Sequence, residues 1–227
     1  MIPVSEQDYI ISHLPFYDTL SHKEKSLLLE HISKKTYQKG DVIYGGSTEC
    51  LGVLLVSSGA IRCHLLSNEG KDVTLYRLFP GDICILSASC LLKNITFDVH
   101  ITAESDSEVF LIQASVFEEL MKQNIYVENF SYKLTIDKFS EVMWSMEQIL
   151  FMSFDERLAI FLFDEYTKNK SLKLSLTHSD IATYIGSARE VVSRMLKYFE
   201  NEGIVTLGRG FVEIIDLNKL KMIVGQV

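Results

Sequence analysis

Apolar positions recur at helical spacing over residues 5–33, which predicts helix there. Within that stretch SHKEKSLLLEHI opens with Ser21 and has Glu24 three residues on, the pattern of a capping box, followed by Leu27, Leu28 and His31. From Lys39 the period shortens. Gly40, Gly45, Gly46, Gly52, Gly59, Gly70 and Gly81 punctuate the runs DVIY, GVLLV, AIRCHLL, DVTLYRL, DVHITA and EVFLI. Short β-prone runs at such spacing predict an all-β sandwich or barrel. Asn68-Glu69-Gly70-Lys71 reads as a hairpin turn and Pro80-Gly81-Asp82 as another.

Beyond Ile112 the helical period returns. Ser115-Val116-Phe117-Glu118 starts a short helix, and a long one is predicted from Ile125 to Met152. In it Tyr132, Thr135, Phe139, Val142, Met146 and Ile149 follow one another at spacings of three and four, a heptad seam. A core-facing helix of a monomer would show a similar stripe. A length of about 28 residues, ~42 Å, exceeds what a small β domain covers and favours a dimer helix. Next comes SFDERLAIFLFDEYTK, with Ser153 and Glu156 as a second capping box, then a loop, two short helices and the hairpin IVTLGRGFVEII with Gly208-Arg209-Gly210 at its tip.

Composition narrows the class. Hydrophobic residues make up 47% of the 227 residues, enough for a substantial core. No apolar run approaches the ~20 residues of a membrane span, and MIPVSEQDYI carries no secretory pattern, so a cytoplasmic chain with four free thiols is expected rather than a disulfide frame. The net charge of −8 is uneven. From residue 151 onward there are 10 basic and 10 acidic residues, against 12 and 20 in residues 1–150. Any nucleic-acid binding therefore has to come from a local patch in the C-terminal part.

The segment HSDIATYIGSAREVVSRMLKYFENEGIV carries such a patch. A helix-turn-helix needs a small residue early in its first helix, glycine at the turn and apolar residues at fixed offsets. Ala182, Gly186 and the set Ile181, Ile185, Val192 and Met195 meet those needs. Thr177 with Asp180 starts the first helix, and Ser187 with Glu190 is a capping box for the second. The second helix turns Ala188, Arg189, Glu190, Ser193, Arg194 and Lys197 outward. Arginine pairs with guanine O6 and N7 in the major groove, and Glu accepts from cytosine N4. Thr177, Ser179, Ser187, Lys197 and Arg209 are candidate phosphate contacts, Arg209 at the tip of a hairpin wing.

With these motifs in place, nearly the whole chain resembles the CRP/FNR superfamily of bacterial transcription regulators. LVSSGAIRCHLLSNEGKDVTLYRLFPGDI is similar to that family's β-roll, and GSAREVVSRML to its recognition helix. The resemblance implies an α+β fold: a β-roll (a cupin-like double-stranded β-helix) with N-terminal helices over residues 1–124, a dimerisation helix over 125–152, and a winged helix-turn-helix over 153–227. It implies a homodimer on double-stranded DNA and RNA polymerase as a partner. The family's base-reading positions fall on Arg189, Glu190, Ser193 and Arg194, with a TGA-containing palindrome as the expected site.

The same comparison argues against cofactors. In members that bind cyclic nucleotides, a Glu holds the ribose and an Arg the phosphate. Here Leu86 falls at the Glu position and Phe97 or Asp98 near the Arg position, with Lys93 nearby, so cAMP is not the expected ligand. No cysteine precedes Cys50, unlike members with an N-terminal iron–sulfur cluster, and His64 beside Cys63 is the one haem candidate; neither group is expected. The stretch CILSASC, with Cys84, Ser87, Ser89 and Cys90, occupies the family's phosphate cassette. It is read as core packing or as a sensor, with Ser87 or Ser89 capping a short helix and Cys90 in its first turn. Two alternatives stand beside the sensing regulator: one that needs no ligand, and a cysteine enzyme built on the β domain with His64 or His100 as base.

Overall fold

A computed structural model describes residues 3–45, 50–70, 72–91 and 99–225. The elements run α1 (Val4–Ser12), α2 (His22–Glu30), β1 (Ile32–Tyr37), β2 (Val42–Gly45), β3 (Gly52–Ser58), β4 (Ile61–Leu66), β5 (Asp72–Leu78), β6 (Ile83–Cys84), β7 (His100–Ala103) and β8 (Ser107–Gln113). There follow α3 (Ala114–Gln123), α4 (Ile125–Phe151), α5 (Phe154–Asn169), β9 (Lys173–Leu174), α6 (His178–Tyr184), α7 (Arg189–Asn201), β10 (Val205–Gly208), β11 (Phe211–Ile214) and α8 (Leu217–Val224). The chain divides into two compact units, 1–66 with 75–142, and 67–74 with 143–227. The boundary thus falls inside α4, after Val142, and α4 is not a unit of its own.

The N-terminal unit holds two four-stranded sheets, ordered β1-β8-β3-β6 and β2-β7-β4-β5. Alternation along β3 and β8 builds two cores at once, because successive side chains point to opposite faces. Leu54, Val56, Val109 and Leu111 meet Ile61, Cys63, Leu75, Tyr76 and Ile101 of the other sheet. Their neighbours Val53, Leu55, Phe110 and Ile112 meet Ile10, Leu28, Phe117 and Val127 from the helices. This is why GVLLV and EVFLI read as unbroken apolar runs: both faces of those strands are covered.

Two glycines bracket β3. Gly52 has φ +130° and Gly59 φ +80°, both in the region that L side chains avoid. A Cβ at Gly52 would strike the Ile112 carbonyl, and one at Gly59 the Ser107 and Asp106 backbone, so each presses directly on β8 or the residue before it.

The helical expectation over 5–33 is corrected at its end. Helix α2 starts on the Ser21–Glu24 capping box but stops at Glu30, and Ile32–Tyr37 is an edge strand paired with β8. Helix α3 starts at Ala114, with Gln113 and no side-chain cap, rather than at Ser115. The turn at Pro80-Gly81-Asp82 is closed by Asp82, whose carboxylate accepts from the Phe79 N–H at 2.8 Å.

In the C-terminal unit one core gathers Leu158 and Leu162 of α5, Ile181 and Ala182 of α6, Val192, Leu196 and Phe199 of α7, Val205 and Val212 of the hairpin, and Leu220 of α8. Helix α5 begins where Glu156 accepts from the Ser153 N–H at 2.7 Å. Strand β9 joins the hairpin as a third strand, order β10-β11-β9.

Candidate functional site

Helix α6 starts on a closed box: Thr177 Oγ1 accepts from the Asp180 N–H at 3.1 Å, and the Asp180 carboxylate accepts from the Thr177 N–H at 2.8 Å. Gly186 carries the turn at φ +62°, and the Ser187 N–H donates to the Ala182 carbonyl at 2.9 Å. Helix α7 then starts at Arg189. Its N-cap is Ala188, with no side-chain bond, so Ser187 and Glu190 do not form the expected capping box. The physical reason is one of phase: the left-handed glycine leaves Ser187 still in the turn, bonded back to α6.

The consequence is an exposed, uncommitted start to α7. Arg189, Glu190 and Arg194 are exposed, and no ion pair or hydrogen bond among the described residues engages them. The inward face of the same helix is Val192, Leu196 and Phe199, each fully buried. Ser193 differs from the other expected base readers. It is half-buried, and its Oγ lies 2.8 Å from His178 Nδ1. Burial, and then the Arg189 charge, hold His178 below its usual pKa, so the ring is neutral near pH 7.

Among the expected phosphate contacts, Thr177 is exposed but its hydroxyl also donates to Asp180 at 2.7 Å. Lys197 is exposed and pairs with Glu200 at 2.6 Å. Ser179 and Arg209 are exposed. Thr177, His178, Ser179, Arg189, Gly208 and Gly210 line one open cleft of about 380 Å³, so the start of α6, the start of α7 and the hairpin tip face a shared space.

On α4 the inward face is Val127, Ser131 and Lys138, with Val142 packed against the core between the sheets. Thr135 is half-buried and bonds to the Ser131 carbonyl at 2.8 Å. Val142 and Thr135 therefore leave the expected seam. The exposed stripe is Tyr132, Ile136, Phe139, Met143, Met146 and Leu150, with Ile149 beside it. Its spacings run four, three, four, three, four, the same heptad shifted by one position at alternate steps.

The cassette stretch is only partly described. Ser89 and Cys90 have side chains outside the described residues, as do Lys93, Phe97 and Asp98 altogether. Ser87 is fully buried and donates to the Gly52 carbonyl at 2.6 Å and the Cys84 carbonyl at 3.2 Å, so it ties the short helical turn Leu86–Leu91 to β3. Leu86 is buried in the core between the sheets. Cys84 meets Cys63, a residue outside the expected pocket, at 3.8 Å. Cys63 and Cys84 are free thiols whereas Cys50 is disulfide-bonded, which corrects the expectation of four free thiols. His64 is buried on β4, its ring 5.6 Å from that of His100.

A model of the cyclic nucleotide-binding domain matches residues 34–124, and one of the Crp-like helix-turn-helix domain matches residues 156–223. A crystal structure described as a transcriptional regulator of the CRP/FNR family from Eubacterium rectale is 40% identical, covers 94% of this chain and 99% of its own, and superposes with a TM-score of 0.89. The chain belongs to the CRP/FNR family of transcription regulators. Regulatory protein HlyX of Actinobacillus pleuropneumoniae is 26% identical over 94% of this chain and 91% of that protein. The anaerobic regulatory protein of Haemophilus influenzae is 27% identical over 96% and 87% respectively. As a CRP/FNR protein the chain is a DNA-binding regulator with a cyclic-nucleotide-binding-like domain, on the expected fold of β domain, long helix and helix-turn-helix. No helix among the described residues is long and apolar enough to cross a membrane.

Proposed function

We propose that the chain is a homodimeric, sequence-specific transcription regulator that reads a TGA-containing palindrome through α7 and recruits or contacts RNA polymerase as its family does. The observation that carries this reading is the uncommitted triad of Arg189, Glu190 and Arg194 at the N-terminal end of α7, above a fully buried Val192, Leu196 and Phe199. Arg194 pairs with guanine, Glu190 with the paired cytosine, and Arg189 adds a further guanine contact. Ser193, held by His178, positions α7 rather than reading a base. Ser179 and Arg209 supply phosphate contacts from either side of the cleft.

The apolar stripe from Tyr132 to Leu150 is the dimer seam. A dimer sets two recognition helices about 34 Å apart, one turn of duplex, which a palindrome requires. The β domain senses a signal other than cAMP. Buried Leu86 offers no partner for a ribose where the family's Glu would stand. An iron–sulfur cluster is disfavoured because Cys63 and Cys84 contact each other inside the core while Cys50 is already bonded. A cysteine enzyme is disfavoured because the Cys84 sulfur meets another thiol and not an imidazole base. Selection of bound duplexes from a random pool tests the whole reading. Enrichment of a TGA-type inverted repeat is expected; enrichment of nothing, or of a site without symmetry, overturns it.

A further inference from the structure

Cys63 and Cys84 lie in different sheets and meet in the core between them. Cys63 pairs across β4 and β7 with Ile101, and Cys84 across β6 and β3 with Leu54. Both are fully buried. At 3.8 Å their sulfurs are in contact, and a disulfide, at about 2.0 Å, needs them to close by about 1.8 Å. Either cysteine alone would pass as a small core residue. The company they keep is less ordinary. Tyr76 of β5 is buried with its hydroxyl beside both sulfurs, without a hydrogen-bond partner of good geometry. The ammonium of Lys138, a buried side chain on α4, pairs with Glu141 at 2.7 Å and stands 5.0 Å over the Tyr76 ring. An aliphatic core needs neither a cation nor a pair of touching thiols.

The two thiols are not equivalent. The Cys63 S–H bonded to it lowers Cys84 to about 7 against the opposing effect of burial, helped by the backbone N–H groups of Ser87 and Leu86. Burial first, and then the Cys84 sulfur, push Cys63 well up. Burial likewise keeps Tyr76 protonated. Of the two, Cys84 is therefore the thiol that ionises more readily, and Cys63 keeps its proton.

Resting on the reading that the β domain senses a signal, we propose that Cys63 and Cys84 form a thiol–disulfide site oxidised by small hydroperoxides, and that its closure changes DNA affinity. The Cys84 thiolate attacks a peroxide oxygen. The O–O bond breaks, Cys84 becomes a sulfenic acid, and the departing hydroxide leaves as water with the proton that Cys84 gave up on ionising. Cys63 then attacks the Cys84 sulfur. The S–O bond breaks, and hydroxide leaves as water with the Cys63 proton. In sum, two thiols and one hydrogen peroxide give one disulfide and two waters, the thiols oxidised and the peroxide reduced. Burial selects the oxidant, since a molecule as large as glutathione disulfide does not reach the pair. The bridge joins the two sheets and removes the ionisable thiol beside Tyr76, whose ring lies under Lys138 of α4, which links the event to α4.

The test uses the full-length protein, reduced, then treated with hydrogen peroxide or with glutathione disulfide, alkylated and mapped by peptide mass spectrometry. A Cys63–Cys84 linked peptide, lighter by two hydrogens, is expected from peroxide and not from glutathione disulfide. Fluorescence anisotropy on the selected duplex is expected to show a change in Kd of about fivefold or more on bridging, reversed by dithiothreitol. That change is expected to be absent in Cys63→Ala and in Cys84→Ser, each first checked for a cooperative thermal transition. Unlinked peptides, a bridge without a change in Kd, or equal bridging by glutathione disulfide overturns the proposal. A reduced protein that selects no DNA marks failure of the underlying function instead; peptide linkage, read without DNA, still reports on the thiols alone.

Discussion

His178 Nδ1 and Ser193 Oγ, 2.8 Å apart, join the first turn of α6 to the middle of α7. The ring is half-buried and held below its ordinary pKa by burial and by Arg189. A folded-state pKa below the unfolded value of about 6.5 means that the unfolded chain binds more protons as pH falls through 6.5. This contribution to stability is complete above that pH and is lost below it, toward the folded pKa. His178→Gln is expected to flatten the decline of the urea midpoint between about pH 6.5 and 5. An unchanged pH profile would show that the ring carries no such linkage.

Arg194→Ala is expected to weaken binding to the selected palindrome by ~1–3 kcal/mol and to relax preference at one base pair of each half-site. Quantitative binding to a panel of single-base variants checks it. Equal weakening on every sequence would reassign Arg194 to the phosphates.

The shifted seam on α4 separates two substitutions that the sequence pattern alone would treat alike. Phe139→Glu, at an exposed position, is expected to yield a folded monomer in sedimentation velocity. Val142→Glu is expected to damage the fold, because half-buried Val142 packs on the core between the sheets and a charged side chain gives up that apolar contact. A folded monomer from Val142→Glu would return the seam to its first register, and an intact dimer from Phe139→Glu would remove this face of α4 from the interface.

Gly186 turns the chain at φ +62°. Gly186→Ala places a Cβ in the left-handed region, at a cost of roughly 1–2 kcal/mol. Urea denaturation should show that loss, with DNA affinity falling as the angle between α6 and α7 relaxes. A neutral substitution would mean that the turn adapts.

Arg77 and Glu104 form a largely buried pair at 2.7 Å. Removing the cation alone, by Arg77→Met, strands a carboxylate and is expected to cost about 3–5 kcal/mol, far more than the joint Arg77→Met, Glu104→Leu replacement. Additive losses in a double-mutant cycle would contradict that coupling.

How much of this was readable beforehand depended on the range of the interaction. Capping boxes at Ser21 and Ser153, the box at Thr177 and the glycine turn at Gly186 involve residues three or four apart, and local pattern reaches that far. Strand β1 was missed because ISKKTY buries one apolar side chain on an edge, leaving no alternation to detect. The α4 stripe was ambiguous because apolar residues fill two adjacent rows, and only packing decides which row Val142 serves. The Ser187 cap failed because the left-handed glycine before it alters the phase of the next helix. The Cys63–Cys84 contact spans 21 residues and two sheets, and His178 with Ser193 spans 15; neither separation follows a helical or strand period.

The paired cores flanking β3 and β8 raise a hazard of their own. A slip of one residue between these strands would send Leu54 and Val56 to the helices and Val53 and Leu55 to the opposite sheet. The slipped chain would be as oily inside and as polar outside as the native one, so neither water nor a chaperone that senses exposed grease would detect the error. Shape has to reject it. Gly52 and Gly59, at the two ends of β3, stand where the neighbouring backbone leaves no space for a side chain, and a slip would bring Val53 or Ser58 into one of those gaps. Two residues without side chains thus act as the end stops that proofread the strand pairing.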